Sequence, residues 1–278
     1  MRPAMRANTA LRAKKDPAVK SAARLVDPRI HPAALDARDL ETLQLFGVKS
    51  VIAVADHTAH PATPDGLFAH FDALLGTQLP RLERAGLTAR AALGVAPQVL
   101  PRRGLRQVLD ALPSYLRGGK VVALGLLGLF RADEREVEGL LAQLALAERF
   151  NLPAMVAAPG TDRERVTRRL LVALRETELP PSRILIDGAV PRTVRAIRAL
   201  GFQAGLTLHP DHLSVERAVA LVRALGPERL MLDTAAGDGA SDILALSRAA
   251  HRLEKAGLSA SVIRRVTRDN ATALFSLR

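Results

Sequence analysis

Residues 120–159 read KVVALGLLGLFRADEREVEGLLAQLALAERFNLPAMVAAP. The stretch opens on an apolar run at 120–126, passes through an amphipathic segment at 133–150 and closes on a second apolar run at 154–158. Short aliphatic runs of this kind are what strands buried on both faces require. Between them Val137, Leu140, Leu141, Leu144, Leu146 and Ala147 fall on one helical stripe. Acidic residues occupy the first turn, where the helix dipole favours them. Strand, helix and strand in that order is the unit from which parallel sheets are built.

The alternation extends in both directions. Further apolar runs stand at 25–30, 48–55, 89–96, 183–187, 203–208 and 229–233, and helical patterns at 161–174, 191–200, 214–225, 241–256 and 259–270. Thr161 with Glu164 three residues on reads as a capping box. Pro191 sits near a helix start, where its missing N–H costs nothing. Gly201, Gly226 and Gly257 follow three helix ends. Eight strands alternating with helices over about 250 residues is the count of a (β/α)8 TIM barrel, predicted here as one α/β domain over 25–278. An open doubly wound sheet is the competitor, but no G-x-G-x-x-G follows the first strand.

Composition narrows the classes. The chain has 278 residues, 48% of them apolar, enough for one large core. Aromatic residues are only 3%, with Tyr115 the single tyrosine and no tryptophan, so Leu, Val, Ile and Ala must fill that core. Without cysteine, disulfides and thiolate metal sites are excluded, and a cytoplasmic location is the default. No apolar run is long enough to span a membrane. Half of the +12 net charge lies in residues 1–24, where seven basic residues face Asp16 alone. This segment is predicted to be a disordered or loosely attached basic tail. It reads as a solvated leader, a cleaved transit peptide, or an arm for nucleic acid, an anionic membrane or an acidic partner. Elsewhere the near absence of aromatics argues against nucleic-acid recognition.

In such a barrel the site lies where the strands end. The first run ends in Asp27, Arg29 and His31, which alternate and so share one face. The second ends in Asp56, His57 and His60, and the third in Ala96-Pro97. Leu126, Ala157 and Gly188 follow on the fourth to sixth, with Asp187 beside Gly188. The seventh ends in His209-Pro210-Asp211-His212, and the eighth in Asp233-Thr234, with Asp238 and Asp242 beyond.

Several of these segments resemble the TatD-like metal-dependent hydrolases. LVDPRIH (25–31) resembles the family's first strand, with its D-x-H-x-H ligands, and VVALGLLGL (121–129) resembles VVAxGExGL. LPAMVAAP (152–159) resembles LPVxxHxP, ILIDG (184–188) a strand ending in a His-bearing pair, and LMLD (230–233) the last strand with its ligand Asp. RALGPERLMLDTAAGDGASDILAL (223–246) and RVTRDNATALF (265–275) look most like the branch encoded in bacterial ebo operons. The resemblance implies an amidohydrolase-type barrel with one or two divalent ions, Zn, Mn or Mg, that acidify a water and polarise the scissile bond.

Only His31 and Asp233 remain of that ligand set. Leu126, Ala157 and Gly188 have no lone pair to offer, and Arg29 puts a permanent cation where a dication would sit. The expectation is a homologue without metal or catalysis, serving as a binding or scaffolding subunit with a protein partner or a second copy. Arg29 would then pair with Asp27, Asp187 or Asp233, or hold an anionic ligand in the old substrate cavity. The alternative is an active phosphoester or amide hydrolase with a rebuilt site, using Asp233 as the catalytic acid with His31, Asp187, His209 and His212. Against it, loop histidines are commonly capping or surface residues. A third, weaker reading is association with nucleic acid through the basic tail.

Overall fold

A computed structural model describes residues 24–54, 62–160 and 162–277. Eight parallel strands pair in sequence order: β1 (Leu25–Ile30), β2 (Val48–Val54), β3 (Thr88–Ala92), β4 (Val121–Gly128), β5 (Ala154–Ala157), β6 (Ile184–Asp187), β7 (Gln203–Thr207) and β8 (Leu230–Asp233). The ring closes beyond the strand ends, where Ile30 bridges Ala236 and the His31 amide donates to the Ala236 carbonyl at 2.7 Å. This is the (β/α)8 barrel that the alternation predicts. The tail at 1–23, Asp56, His57, His60 and Thr161 lie outside the described residues.

Strand irregularities have local causes. The β1–β2 register shifts between Asp27 and Ile30, across Pro28, which has no N–H for the ladder. The register of β4 on β5 shifts between Leu124 and Leu127. Gly128, at φ +143°, lies so close to β5 that a Cβ there would stand 1.9 Å from the Ala157 carbonyl oxygen. The third strand stops at Ala92, short of the expected 96, and Pro97–Val99 form a 3-10 turn just beyond.

The helices follow the pattern with shorter ends. The segment at 133–150 is the helix Glu134–Arg149, and that at 161–174 is Arg163–Ala173, which begins after Asp162. The segment at 241–256 begins only at Ala245. Before it the chain is held as a loop by Ser241 Oγ, which accepts from the Gly237 amide at 2.8 Å, and by Asp242 Oδ1, which accepts from Leu244 at 2.9 Å. The segment at 259–270 continues through a π-turn at Arg265–Asp269 to Leu274.

The core has two layers. A large aliphatic layer lies between strands and helices, and a smaller one inside the ring includes Ile52, Ala92, Leu126, Met155 and Met231. Phe275 joins the inner layer, almost fully buried. It is held near the start of β8 by Asn270, whose amide donates to the carbonyls of Pro227 and Leu230 at 2.8 and 2.7 Å. With the strand starts plugged in this way, the open end of the barrel is the end where the strands finish.

Candidate functional site at the barrel mouth

Strict alternation predicts one shared face for Asp27, Arg29 and His31, but the register shift at Pro28 breaks it. Asp27 pairs with Val51 of the outer layer, while Arg29 and His31 face each other at the mouth, all three no more than 5% exposed. The guanidinium of Arg29 lies in a shell of three groups. Nη1 meets Asp187 Oδ2 at 2.7 Å, Nη2 meets Asp238 Oδ2 at 3.4 Å, and Nε faces His31 Nε2 at 3.4 Å. Burial works against its charge, but Asp187, Asp233 and Asp238 outweigh burial and hold the group charged above its usual range. Of the three acids the sequence offered as partners, Asp187 is the one bonded. The second is Asp238, which sequence reasoning placed near the mouth without a role.

The other two acids are held differently. Asp27 accepts from the Thr234 hydroxyl at 2.5 Å and from the amides of Thr234 and Arg29, each at 3.3 Å. Burial still pushes its carboxyl up to about 6. Asp233 is raised well above the ordinary carboxylate range, first by burial and then by the neighbouring charge of Asp187. The Thr207 hydroxyl lies 3.2 Å from Asp233 Oδ2 and 3.4 Å from Asp187 Oδ1, tying the two acids together. Asp233 Oδ1 is buried and has no hydrogen-bond partner among the described residues. A polar residue at the end of an otherwise apolar strand was the available sequence signal for Thr207.

The loop after β7 folds back, stacking His209 edge-on to His212 with ring centroids 5.4 Å apart. Their lone pairs are nonetheless engaged. The Asp211 amide donates to His209 Nδ1 at 3.1 Å, which leaves Nε2–H to donate to the Asp238 carbonyl at 2.9 Å. His212 Nε2 faces Arg163 Nη2 at 2.9 Å. Burial, Arg163 and Arg29 depress His212 to about 3, so its ring is neutral. Arg163, at the start of the helix after β5, carried no signal in the sequence.

These groups surround a cavity of about 230 Å³ in the mouth. All four positions that lack ligands, Arg29, Leu126, Ala157 and Gly188, line it, together with Arg163 and His212. His31 and Asp233 lie beneath. A metal centre does not fit this donor set. Three of the cavity positions cannot ligate, the His31 nitrogen faces a guanidinium, and Asp187 is committed to a cation that cannot leave. Among the described residues no group of three or more His, Asp or Glu side chains is disposed to hold an ion.

The rim is rigid. Glu136, buried in the first turn of its helix, accepts from the backbone amides of Phe130, Arg131 and Ala132 at 2.8, 2.9 and 2.8 Å. This presents Phe130, 39% exposed, over Gly160 at the cavity edge.

Comparison with known proteins bears on this barrel. No protein-family model matches the chain. An uncharacterized metal-dependent hydrolase of Methanocaldococcus jannaschii is 28% identical over 254 residues, 91% of this chain and all of the relative. The crystal structure of a TatD-like protein from Archaeoglobus fulgidus superposes with a TM-score of 0.77 at 25% identity, over 91% of this chain and all of that one. A TatD homologue from Escherichia coli gives a TM-score of 0.69 at 23% identity, over 93% of this chain and all of that one. Over about nine-tenths of its length the chain is thus similar to metal-dependent hydrolases and TatD-like proteins.

Proposed function

We propose that this TatD-like barrel has exchanged its metal centre for a built-in cation, and that it serves as a cytoplasmic binding or scaffolding subunit rather than a hydrolase. The observation that carries the reading is the Arg29 guanidinium, which lies 2.7 Å from Asp187 and faces His31 and Asp238. An imidazole and two carboxylates are donors suited to a metal ion. Here they bind a charge that cannot dissociate and cannot activate water. Burial and the charge of Asp187 push the neighbouring acid Asp233 toward its protonated form, which makes it a weaker metal ligand. The segments at 223–246 and 265–275 favour the ebo-operon branch of the family.

One observation favours the alternative of a rebuilt site: Asp233 Oδ1 is buried with no partner, as an oxygen awaiting a cation would be. The two readings separate on protein purified without chelator. Substoichiometric Zn, Mn and Mg, with no phosphodiesterase or amidase turnover on added Mn²⁺ or Zn²⁺, is the expected result. Stoichiometric metal with turnover abolished by Asp233→Ala would establish the rebuilt hydrolase instead. The basic tail carries a separate proposal of nucleic-acid association. Deleting residues 1–24 is expected to leave DNA affinity unchanged across a salt series, and a loss would restore that role.

A further inference from the structure

The mouth contains two hydrogen-bond donors that find no partner among the described residues. Arg163 Nη1 donates to the Asp211 carbonyl at 2.8 Å, and Nη2 faces His212 Nε2. A guanidinium can only donate, so Nε2 of His212 is the acceptor. The single proton of the neutral ring therefore sits on Nδ1, which becomes an N–H donor. That Nδ1 lies beside Gly188, 3.4 Å from where a Cβ would stand, and it is buried without a partner. Arg163 Nε is buried without a partner as well. An unsatisfied buried donor costs about 1–3 kcal/mol, and two on touching side chains call for a reason.

Arg29 and Arg163 differ in what their charge has to do. Arg29 gives one nitrogen to each of Asp187, Asp238 and His31, so the two carboxylates, which line the cavity with it, already neutralise it. Among the described residues Arg163 is bonded to a carbonyl and a neutral ring, and to no carboxylate. Asp211 is the nearby acid, but its side chain is 81% exposed and screened by water. Burial and then the charge of Arg29 work against Arg163's own charge, and Asp211, Asp187 and Asp238 offset them only in part. An anion entering the mouth would thus be taken up by Arg163 and not by Arg29.

We infer that the cavity binds a small oxyanion, a carboxylate or a phosphate monoester, through Arg163 and the Nδ1–H of His212, with the rest of the molecule against Leu126 and Ala157. Gly188 leaves the approach to the ring open, since no side chain stands between His212 and the cavity. A volume of about 230 Å³ lies below the usual range of ~300–1,000 Å³ for ligand pockets, so the occupant is a small molecule. Gln98 lines another wall with its amide oxygen unpartnered, which suits a ligand that also carries a hydroxyl. This assignment rests on the reading of the mouth as a metal-free binding site.

The test is calorimetric titration of chelator-treated protein with inorganic phosphate, and in a parallel arm with acetate and glycolate, at ionic strength held constant with sodium chloride. Saturable binding in one arm is expected, and which arm responds identifies the oxyanion. Arg163→Met should weaken it at least tenfold. An arginine with a purely structural role would leave the affinity of the folded variant unchanged. Arg192→Met, at an exposed site, should bind as the parent does. Should Arg163→Met fail to fold, the ¹⁵N resonance of His212 Nδ1 in the parent protein must still move on titration. No saturable response in either arm, or full affinity in Arg163→Met, overturns the inference and leaves the metal-free reading intact. Binding that disappears with chelator and returns with Zn²⁺ overturns both.

Discussion

Arg29 Nη1 and Asp187 Oδ2 meet at 2.7 Å inside the barrel, with 6% and 1% of their side chains exposed. Neither charge can be hydrated there, so each depends on the other. Removing one partner of a buried pair costs about 3–5 kcal/mol, because the remaining charge is stranded. Arg29→Met is expected to lose that much in urea unfolding, and Arg29→Met combined with Asp187→Asn to recover most of it. A single substitution costing under about 1 kcal/mol would show that water reaches the pair.

The clamp formed by Glu136 makes a different prediction. Its carboxylate takes three backbone N–H donors from Phe130 to Ala132, and charge-assisted bonds of this kind are the stronger ones. Glu136→Gln keeps the shape but offers one acceptor oxygen in place of two. The cost should be about 1–3 kcal/mol, with faster amide hydrogen exchange confined to 130–132. Unchanged protection of those amides would mean that the turn is held by its backbone alone.

Gly128 sets the spacing of β4 on β5. Gly128→Ala would drive a Cβ to 1.9 Å from a carbonyl oxygen at a φ of +143°, and the chain is expected to accumulate as insoluble protein. Gly118→Ala is the control, because its Cβ would meet nothing nearer than 3.8 Å. A soluble, cooperatively unfolding Gly128→Ala would show that the two strands can part.

The fold was legible because its signals are local and repeated. Aliphatic runs such as 184–187 and 230–233 admit one reading once amphipathic segments separate them. Alternation relates Arg29 to His31 but fails for Asp27, because the register shift at Pro28 separates it from them. What the sequence does not show is which partner each charge takes, since that depends on loops meeting across the mouth. Asp238 reaches Arg29 because Gly237 lets the chain pass within van der Waals distance of the His31 carbonyl, where a Cβ would stand 2.2 Å from its oxygen. Glu136 looked like a favourable charge at a helix start, yet its carboxylate bonds the preceding loop. Arg163 was one arginine among many, and only the folded loop after β7 gives it His212.

Asp27 gives the protein a pH dependence of defined sign. Its folded pKa is about 6, whereas an unfolded Asp titrates near ~3.9. Between these values the folded state binds the proton more tightly, so stability falls as pH rises. The contribution is fully present below about 4, is lost on passing through 6 and changes no further above. A gap of roughly two pKa units corresponds to about 3 kcal/mol as an upper bound. Asp27→Asn, whose neutral amide can donate to the Thr234 hydroxyl, should therefore stabilise the protein at pH 8 and change little at pH 4. The difference in unfolding free energy between Asp27→Asn and the parent, followed from pH 4 to 8, should rise and level off near 6. A difference that is flat, or that falls with pH, would show that Asp27 is ionised throughout and held by Thr234 as a charge.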